Sequence, residues 1–96
     1  MKKRGESYYW NAREKIQNRL AQLPRGTIKE RLISGRKYYY FQRREGKKVI
    51  HTYIGKEIPK DLEKAMLERE ELRVELRRVQ EVLTTFLADK IRGLLK

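Results

Sequence analysis

Apolar residues return every three or four positions near the two ends of the chain and fall in three short runs, separated by X-Gly pairs, in its middle. Tyr9, Ile16, Leu20 and Leu23 keep helical spacing, which predicts a helix over residues 7–22, with Ser7 placed to cap it and Pro24 and Gly26 to stop it. Three strands are predicted next: Thr27 to Ile33, Lys37 to Arg44, and Lys47 to Ile54. Ser34-Gly35 and Glu45-Gly46 separate them, and an X-Gly pair between alternating strands is a hairpin signal. Gly55 and Pro59 then punctuate, and from about Lys60 the chain reads as one long helix. Pro59 suits the first helical position, while Asp61 and Glu63 suit the positive end of the helix dipole.

Along that helix Leu62, Ala65, Leu72, Leu76, Val79, Leu83 and Phe86 keep a three-four spacing, interrupted at Arg69. Leu87, Ile91, Leu94 and Leu95 then drift round to another side. A straight helix of 37 residues is about 55 Å long. It outreaches a sheet of seven-residue strands, so it either breaks, near Gly93 or earlier, or meets a second partner. The expected fold is α+β: an N-terminal helix, a three-stranded antiparallel sheet and a long C-terminal amphipathic helix. The expected division is 1–58, helix plus sheet, and 59–96, a helix for core packing or oligomerisation.

Pairing the hairpins on paper separates two faces. A Ser34-Gly35 turn sets Leu32 opposite Lys37, Glu30 opposite Tyr39 and Ile28 opposite Phe41. A Glu45-Gly46 turn sets Arg44 opposite Lys47, Phe41 opposite Ile50 and Tyr39 opposite Thr52. One face then collects Ile28, Leu32, Tyr39, Phe41, Ile50 and Ile54, and the helices are expected to cover it. The other collects Lys29, Arg31, Tyr38, Tyr40, Gln42, Arg44, Lys47, Val49, His51 and Tyr53, with Arg36 beside them. Cations suit phosphates, and planar or amide groups suit bases. A merely solvated face is the plainer reading, since Tyr forms strands well. That preference does not bring basic residues to the same side.

Charge sharpens the picture. Lys and Arg total 25 and Asp and Glu 13, a formal net charge of +12. Residues 1–60 hold 17 basic and 5 acidic residues, while 61–96 hold 8 of each, so the whole excess lies in the first part. Such an excess attracts polyanions. The chain has no cysteine, which excludes disulfides and thiolate metal sites and is compatible with a reducing cytosol. No apolar run is long enough to span a bilayer, and no apolar signal core follows Met1-Lys2-Lys3-Arg4. A cytoplasmic protein is expected. Charged residues at 40%, with sparse Asn and Gln, lean toward a thermophilic source.

Catalytic constellations are missing. His51 is the single histidine, set among basic residues. Glu68, Glu71 and Glu75 alternate with Arg residues in ordinary helical pairing rather than clustering as metal ligands. A tyrosine nucleophile among Tyr38, Tyr39 and Tyr40 would need an electrophilic pocket or a metal, and neither is evident. The glycines mark turns rather than a phosphate-cradling loop. Neither cofactor nor metal is expected. The Lys2-Lys3-Arg4 run is a basic tail, and Tyr8, Tyr9 and Trp10 form a local cluster of which one or two staple the helix to the core.

The stretch LPRGTIKERLISGRKYYYFQRREGKKVIHTYI, with its "LPxGxI", "YYYFQRREGKK" and "YIGK" pieces, resembles an uncharacterised family of small bacterial and archaeal proteins. Members run from an LP-G turn through a Tyr-rich hairpin into a charged Leu/Arg/Glu helix, and LEKAMLEREELRVELRRVQEVL fits that layout. The hairpin is also similar to the short three-stranded sheets at the N-termini of tyrosine integrases, which bind arm-type DNA sites, and to the Tyr-rich hairpin that opens some insertion-sequence transposases. The resemblance covers roughly residues 23–85. The chain lacks any integrase or transposase catalytic domain, so the resemblance implies only a DNA-contact role for the second and third strands. The N-terminal helix is not part of the arm-binding pattern.

The reading is a small basic nucleic-acid-binding protein and not an enzyme, with DNA favoured over RNA. A mobile-element, phage or plasmid accessory factor, or a small regulator, would fit. Its contact residues are Lys29, Arg31, Arg36, Tyr38, Tyr40, Gln42, Arg44, Lys47, His51 and Tyr53. Leu72, Leu76, Val79, Leu83 and Phe86 write a coiled-coil-like seam, so a homo-oligomer is expected. The competing reading is an interaction protein or inhibitor acting through its C-terminal helix and basic surface. A membrane-surface role for the basic tail is weaker, and no membrane partner is expected.

Overall fold

The structure, a computed structural model, describes residues 4–95. Helix α1 (Glu6–Gln22) leads into strands β1 (Thr27–Ile33), β2 (Arg36–Glu45) and β3 (Lys48–Gly55), and helix α2 (Lys60–Leu94) follows. The strands form one antiparallel sheet in the order β1-β2-β3. The α+β architecture is the one the periodicity predicts. The chain forms two compact units: α1 with the part of α2 from Arg69 onward, and residues 23–68 with the sheet and the start of α2. The partition of charge at residue 60 therefore does not coincide with the partition of packing.

In the helical unit Ile16 of α1 and Val79 and Leu83 of α2 form the buried cluster, and Tyr9, Ala12, Leu20, Leu72 and Leu76 pack round it. The Phe86 ring lies 6.1 Å from that of Tyr9. The apolar seam of α2, written as for a second copy, is thus partnered within the chain, because Tyr9, Ala12, Ile16 and Leu20 supply a matching stripe. At the outer end Lys90 donates a 2.9 Å bond to the Glu6 carboxylate, which also accepts the Trp10 indole N–H at 3.1 Å. Tyr9 is the member of the aromatic cluster that staples α1 to the core, while Tyr8 and Trp10 stay exposed. Arg4 stacks over the Tyr8 ring at 4.2 Å; Lys2 and Lys3 of the basic tail lie outside the described residues.

Two helix starts differ from expectation by a residue. Ser7 is not a cap: α1 already includes Glu6, and the Gly5 carbonyl accepts the Tyr8 N–H at 3.2 Å. The Glu6 carboxylate takes the favourable place by the positive helix end. Pro59 precedes α2 rather than opening it, and its carbonyl accepts the first helical bond, from Glu63 at 3.0 Å. Nor does α2 break at Gly93, which lies within it.

In the sheet unit the first hairpin has the expected register, with Leu32 opposite Lys37 and Ile28 opposite Phe41. Ser34 and Gly35 both take positive φ, 51° and 79°, as a tight hairpin of the I′ kind requires. The second hairpin turns one residue later than expected, at Gly46-Lys47, and its pairs are shifted by two: Glu45 faces Lys48, Arg44 faces Val49, and Phe41 faces Thr52. Two physical reasons favour this. Gly46 becomes the first central residue of the turn, at φ 62°, and Arg44 no longer opposes Lys47 but leaves the opposite charges of Glu45 and Lys48 to meet. A shift of two leaves every side chain on its face. A bulge between Tyr39 and Tyr40 then lets Tyr39 pair with Gly55.

The expected core face is covered only in part. Ile28, Tyr39, Phe41, Ile50 and Ile54 are half-buried, but Leu32 is 69% exposed, out where the Glu30–Lys37 ion pair spans β1 and β2 at 3.3 Å. Leu23 is the buried residue of this unit, just before the turn. Gly26 is required by a close approach: a Cβ there would lie 2.5 Å from the Phe41 ring and 2.6 Å from the Gln42 carbonyl oxygen.

Two outcomes follow. Leu83→Ala should cost about 2–4 kcal/mol in urea unfolding, whereas Leu32→Ala should stay within about 0.5 kcal/mol; equal effects would contradict the assigned core. The bonds from Lys90 and Trp10 hold the Glu6 carboxyl below its ordinary value of 4.5. A lowered folded-state value adds stability above the ordinary value, lost as the pH falls through the folded one. Acid unfolding of Glu6→Gln should therefore show a weaker loss of stability below that pH than the parent chain.

Candidate nucleic-acid interface

The strand registers assign the faces directly. Thr27, Lys29, Arg31 and Ile33 of β1, Arg36, Tyr38, Tyr40, Gln42 and Arg44 of β2, and Val49, His51 and Tyr53 of β3 share one side. Nine of the ten sequence-predicted contact residues are on it; Lys47 is the exception, carried by the Gly46-Lys47 turn instead of a strand. It moved because the turn falls one residue later than the sequence pattern placed it.

Three tyrosines make the centre. The Tyr53 ring sits 5.4 Å from that of Tyr40, nearly edge-on, and 6.3 Å from that of Tyr38. Tyr40 and Tyr53 are direct cross-strand partners. Tyr38 reaches Tyr53 diagonally, since beyond the bulge the next pair of β2 is Tyr39 with Gly55. Tyr38 and Tyr40 are half-buried by this packing, and Tyr53 is 54% exposed. The Arg31 guanidinium lies 5.2 Å from the Tyr40 ring centroid, a cation–π contact made on the diagonal from its own partner, Tyr38.

Cations surround this centre. Lys29 stands opposite Tyr40, Arg36 at one end of β2 and Arg44 near the other, all exposed. Gln42 and His51 form a cross-strand pair of polar groups between the tyrosines and Arg44. No carboxylate shares the face. The strands contain two, Glu30 and Glu45, and both lie on the opposite side, each facing a strand partner there: Tyr39 and Lys48. Glu30 in addition bonds Lys37. The sheet thus keeps its acids with the cations of one side and leaves the cations of the other without them.

Sequence reasoning missed Thr27 and Ile33, which the parity of β1 places on the face, and missed the segregation of the two acids, which the same parity contains. The Arg31–Tyr40 contact carried no signal, because diagonal contacts depend on sheet twist. Among the described residues no cluster of three or more His, Asp or Glu is arranged to hold a metal.

A small α+β unit with one basic, tyrosine-rich sheet face is the class these features define. The chain belongs to the DUF6788 family, described as a domain of unknown function, whose pattern matches residues 9–64. That span takes in nearly all of α1, the whole sheet and the first turn of α2. No curated protein and no solved structure gives a significant match.

A double-mutant cycle checks the aromatic centre. Tyr40→Ala and Tyr53→Ala should couple by about 0.5–1.5 kcal/mol in folding stability, as an aromatic pair does beyond its buried area. Additive losses would mean that the rings do not pack.

Proposed function

We propose that this chain is a nucleic-acid-binding protein rather than an enzyme, and that its contact surface is the sheet face of Lys29, Arg31, Arg36, Tyr38, Tyr40, Gln42, Arg44, His51 and Tyr53, with Lys47 at its rim. The observation that carries the reading is the composition of that face. Cations are interleaved with ring and amide groups, of which the Tyr53 ring is exposed and those of Tyr38, Tyr40 and Gln42 are half-buried, and both strand carboxylates are on the other side. Lys and Arg meet phosphates, Tyr53 offers a ring to a base, and Gln42 offers donor and acceptor to a base edge.

DNA is favoured over RNA by the similarity of the hairpin to the arm-type sheets of tyrosine integrases and to the opening hairpin of some transposases. The same similarity suggests an accessory or regulatory factor of a mobile element, phage or plasmid in a bacterial or archaeal cytoplasm. Among the described residues no helix is long and apolar enough to cross a membrane.

Fluorescence anisotropy with duplex DNA, single-stranded DNA and RNA of equal length tests the proposal. With five cations engaged on a duplex, log K should fall with log salt at a slope of about −4 to −5. Arg31→Ala, Arg36→Ala and Arg44→Ala together should weaken binding to all sequences alike and flatten the slope by about 3. Lys64→Ala with Arg73→Ala should leave it unchanged. A slope near zero on every polymer would overturn the reading. If a single strand is the preferred ligand, Tyr53→Ala should cost about 1–3 kcal/mol of binding, the loss of one stacked base.

A further inference from the structure

In a chain with 40% charged residues, the ten residues Val79 to Ala88 contain a single charge, Glu81. Burial against α1 explains only part of this, because one side of the segment is open. Thr84 and Leu87 are exposed there. The Thr84 hydroxyl donates to the Gln80 carbonyl at 2.8 Å, which turns it back onto its own helix, so the open side is more apolar than its letters suggest.

A groove of about 430 Å³ lies along this side, lined by Trp10, Arg13, Gln80, Leu83, Thr84 and Leu87. From it an apolar stripe continues along α2 through Leu87 and Ile91 to Leu94 and Leu95, at four- and three-residue steps. The Glu6–Lys90 bond fixes where α1 begins against α2, so the last turn of α2 runs on past α1. Leu94 and Leu95 are 83% and 81% exposed.

We propose that the chain pairs with a second copy of itself through this surface, the Leu94–Leu95 end of each α2 lying in the Trp10–Leu87 groove of the other. Groove and stripe share Leu87 and lie on one unit, so a two-fold axis between the levels of Leu87 and Ile91 sets Leu94 and Leu95 of each copy opposite Thr84 and Leu83 of the other and satisfies both halves at once. That self-complementarity is what an isologous contact demands. The two α2 helices then run in opposite directions, with opposed dipoles. Charge selects the same place. Copies of a +12 chain repel wherever their cations meet. Here Lys90 is already paired with Glu6 and Arg92 with Asp89 within the copy, and the groove's own cation, Arg13, lies over the Trp10 ring at 5.7 Å. The contact shares Leu83 alone with the Leu72–Phe86 seam, which α1 occupies, and it does not depend on the nucleic-acid reading.

Sedimentation equilibrium of the full chain tests this, at a salt concentration high enough to shed bound polyanion and over the micromolar range. A dimer mass that falls on dilution is expected, and Leu94→Gln with Leu95→Gln should return a monomer at every concentration. Both positions are exposed, so the helical unit keeps its fold. The cysteine-free chain permits a second reading: Ile91→Cys should cross-link to its own copy on mild oxidation, whereas Leu67→Cys, more exposed but far along α2, should not. A monomer mass throughout, or a dimer that persists in the Leu94/Leu95 variant, overturns the proposal.

Discussion

Side chains alternate along a strand, and in this sheet that alternation separates two populations of charge. Everything that makes the surface distinctive depends on the parity of two registers. A slip of one residue in the first hairpin would move Glu30 among the cations of the tyrosine face, and one in the second would take Val49, His51 and Tyr53 off that face and set His51 and Tyr53 beside Glu45. The turns hold the parity. Ser34-Gly35 and Gly46-Lys47 are both two-residue turns, and the positive φ values of Ser34, Gly35 and Gly46 allow each to close tightly. Turn chemistry is thus the local cause of the electrostatic pattern.

Neither unit buries much. The helical unit rests on Ile16, Val79 and Leu83, and the sheet unit on Leu23 and a row of half-buried residues. A chain with so small an apolar interior depends on satisfying its periphery well. The Glu6–Lys90–Trp10 group ties the open end of the α1–α2 pair, and the Glu30–Lys37 pair ties β1 to β2 on the side with the acids. Exposed ion pairs each contribute little.

The elements and their order were legible because each signal is strong: four apolar residues at helical spacing in α1, short runs rich in β-branched and aromatic residues between X-Gly pairs in the strands, and a long three-four series in α2. The faces of the sheet were legible even though one register was not, since the error of two residues preserves parity. The turn itself was misread because Glu45-Gly46 matches a hairpin signature as well as Gly46-Lys47 does; the like charges of Arg44 and Lys47 were the discriminating clue. The partner of the α2 seam was not legible. Spacing shows that a stripe will be covered, not by what, and the stripe on α1 is short enough to read as a minor helix. Leu32 kept the strand alternation yet lies at the exposed end of β1, where no element covers it.

The sheet order leaves β1 and β3 as edges, and β1 has Leu32 and Ile33 in the open. Such an edge is a template on which another strand could grow. Lys29 and Arg31, beside those two residues, make a second copy of the edge an unwelcome neighbour, since like charges would be brought within one strand spacing. The guard is electrostatic and so has a range, about 8 Å at physiological ionic strength and about 3 Å in molar salt. Concentrated solutions of this protein should therefore stay clear when dilute in salt and grow turbid as salt is added.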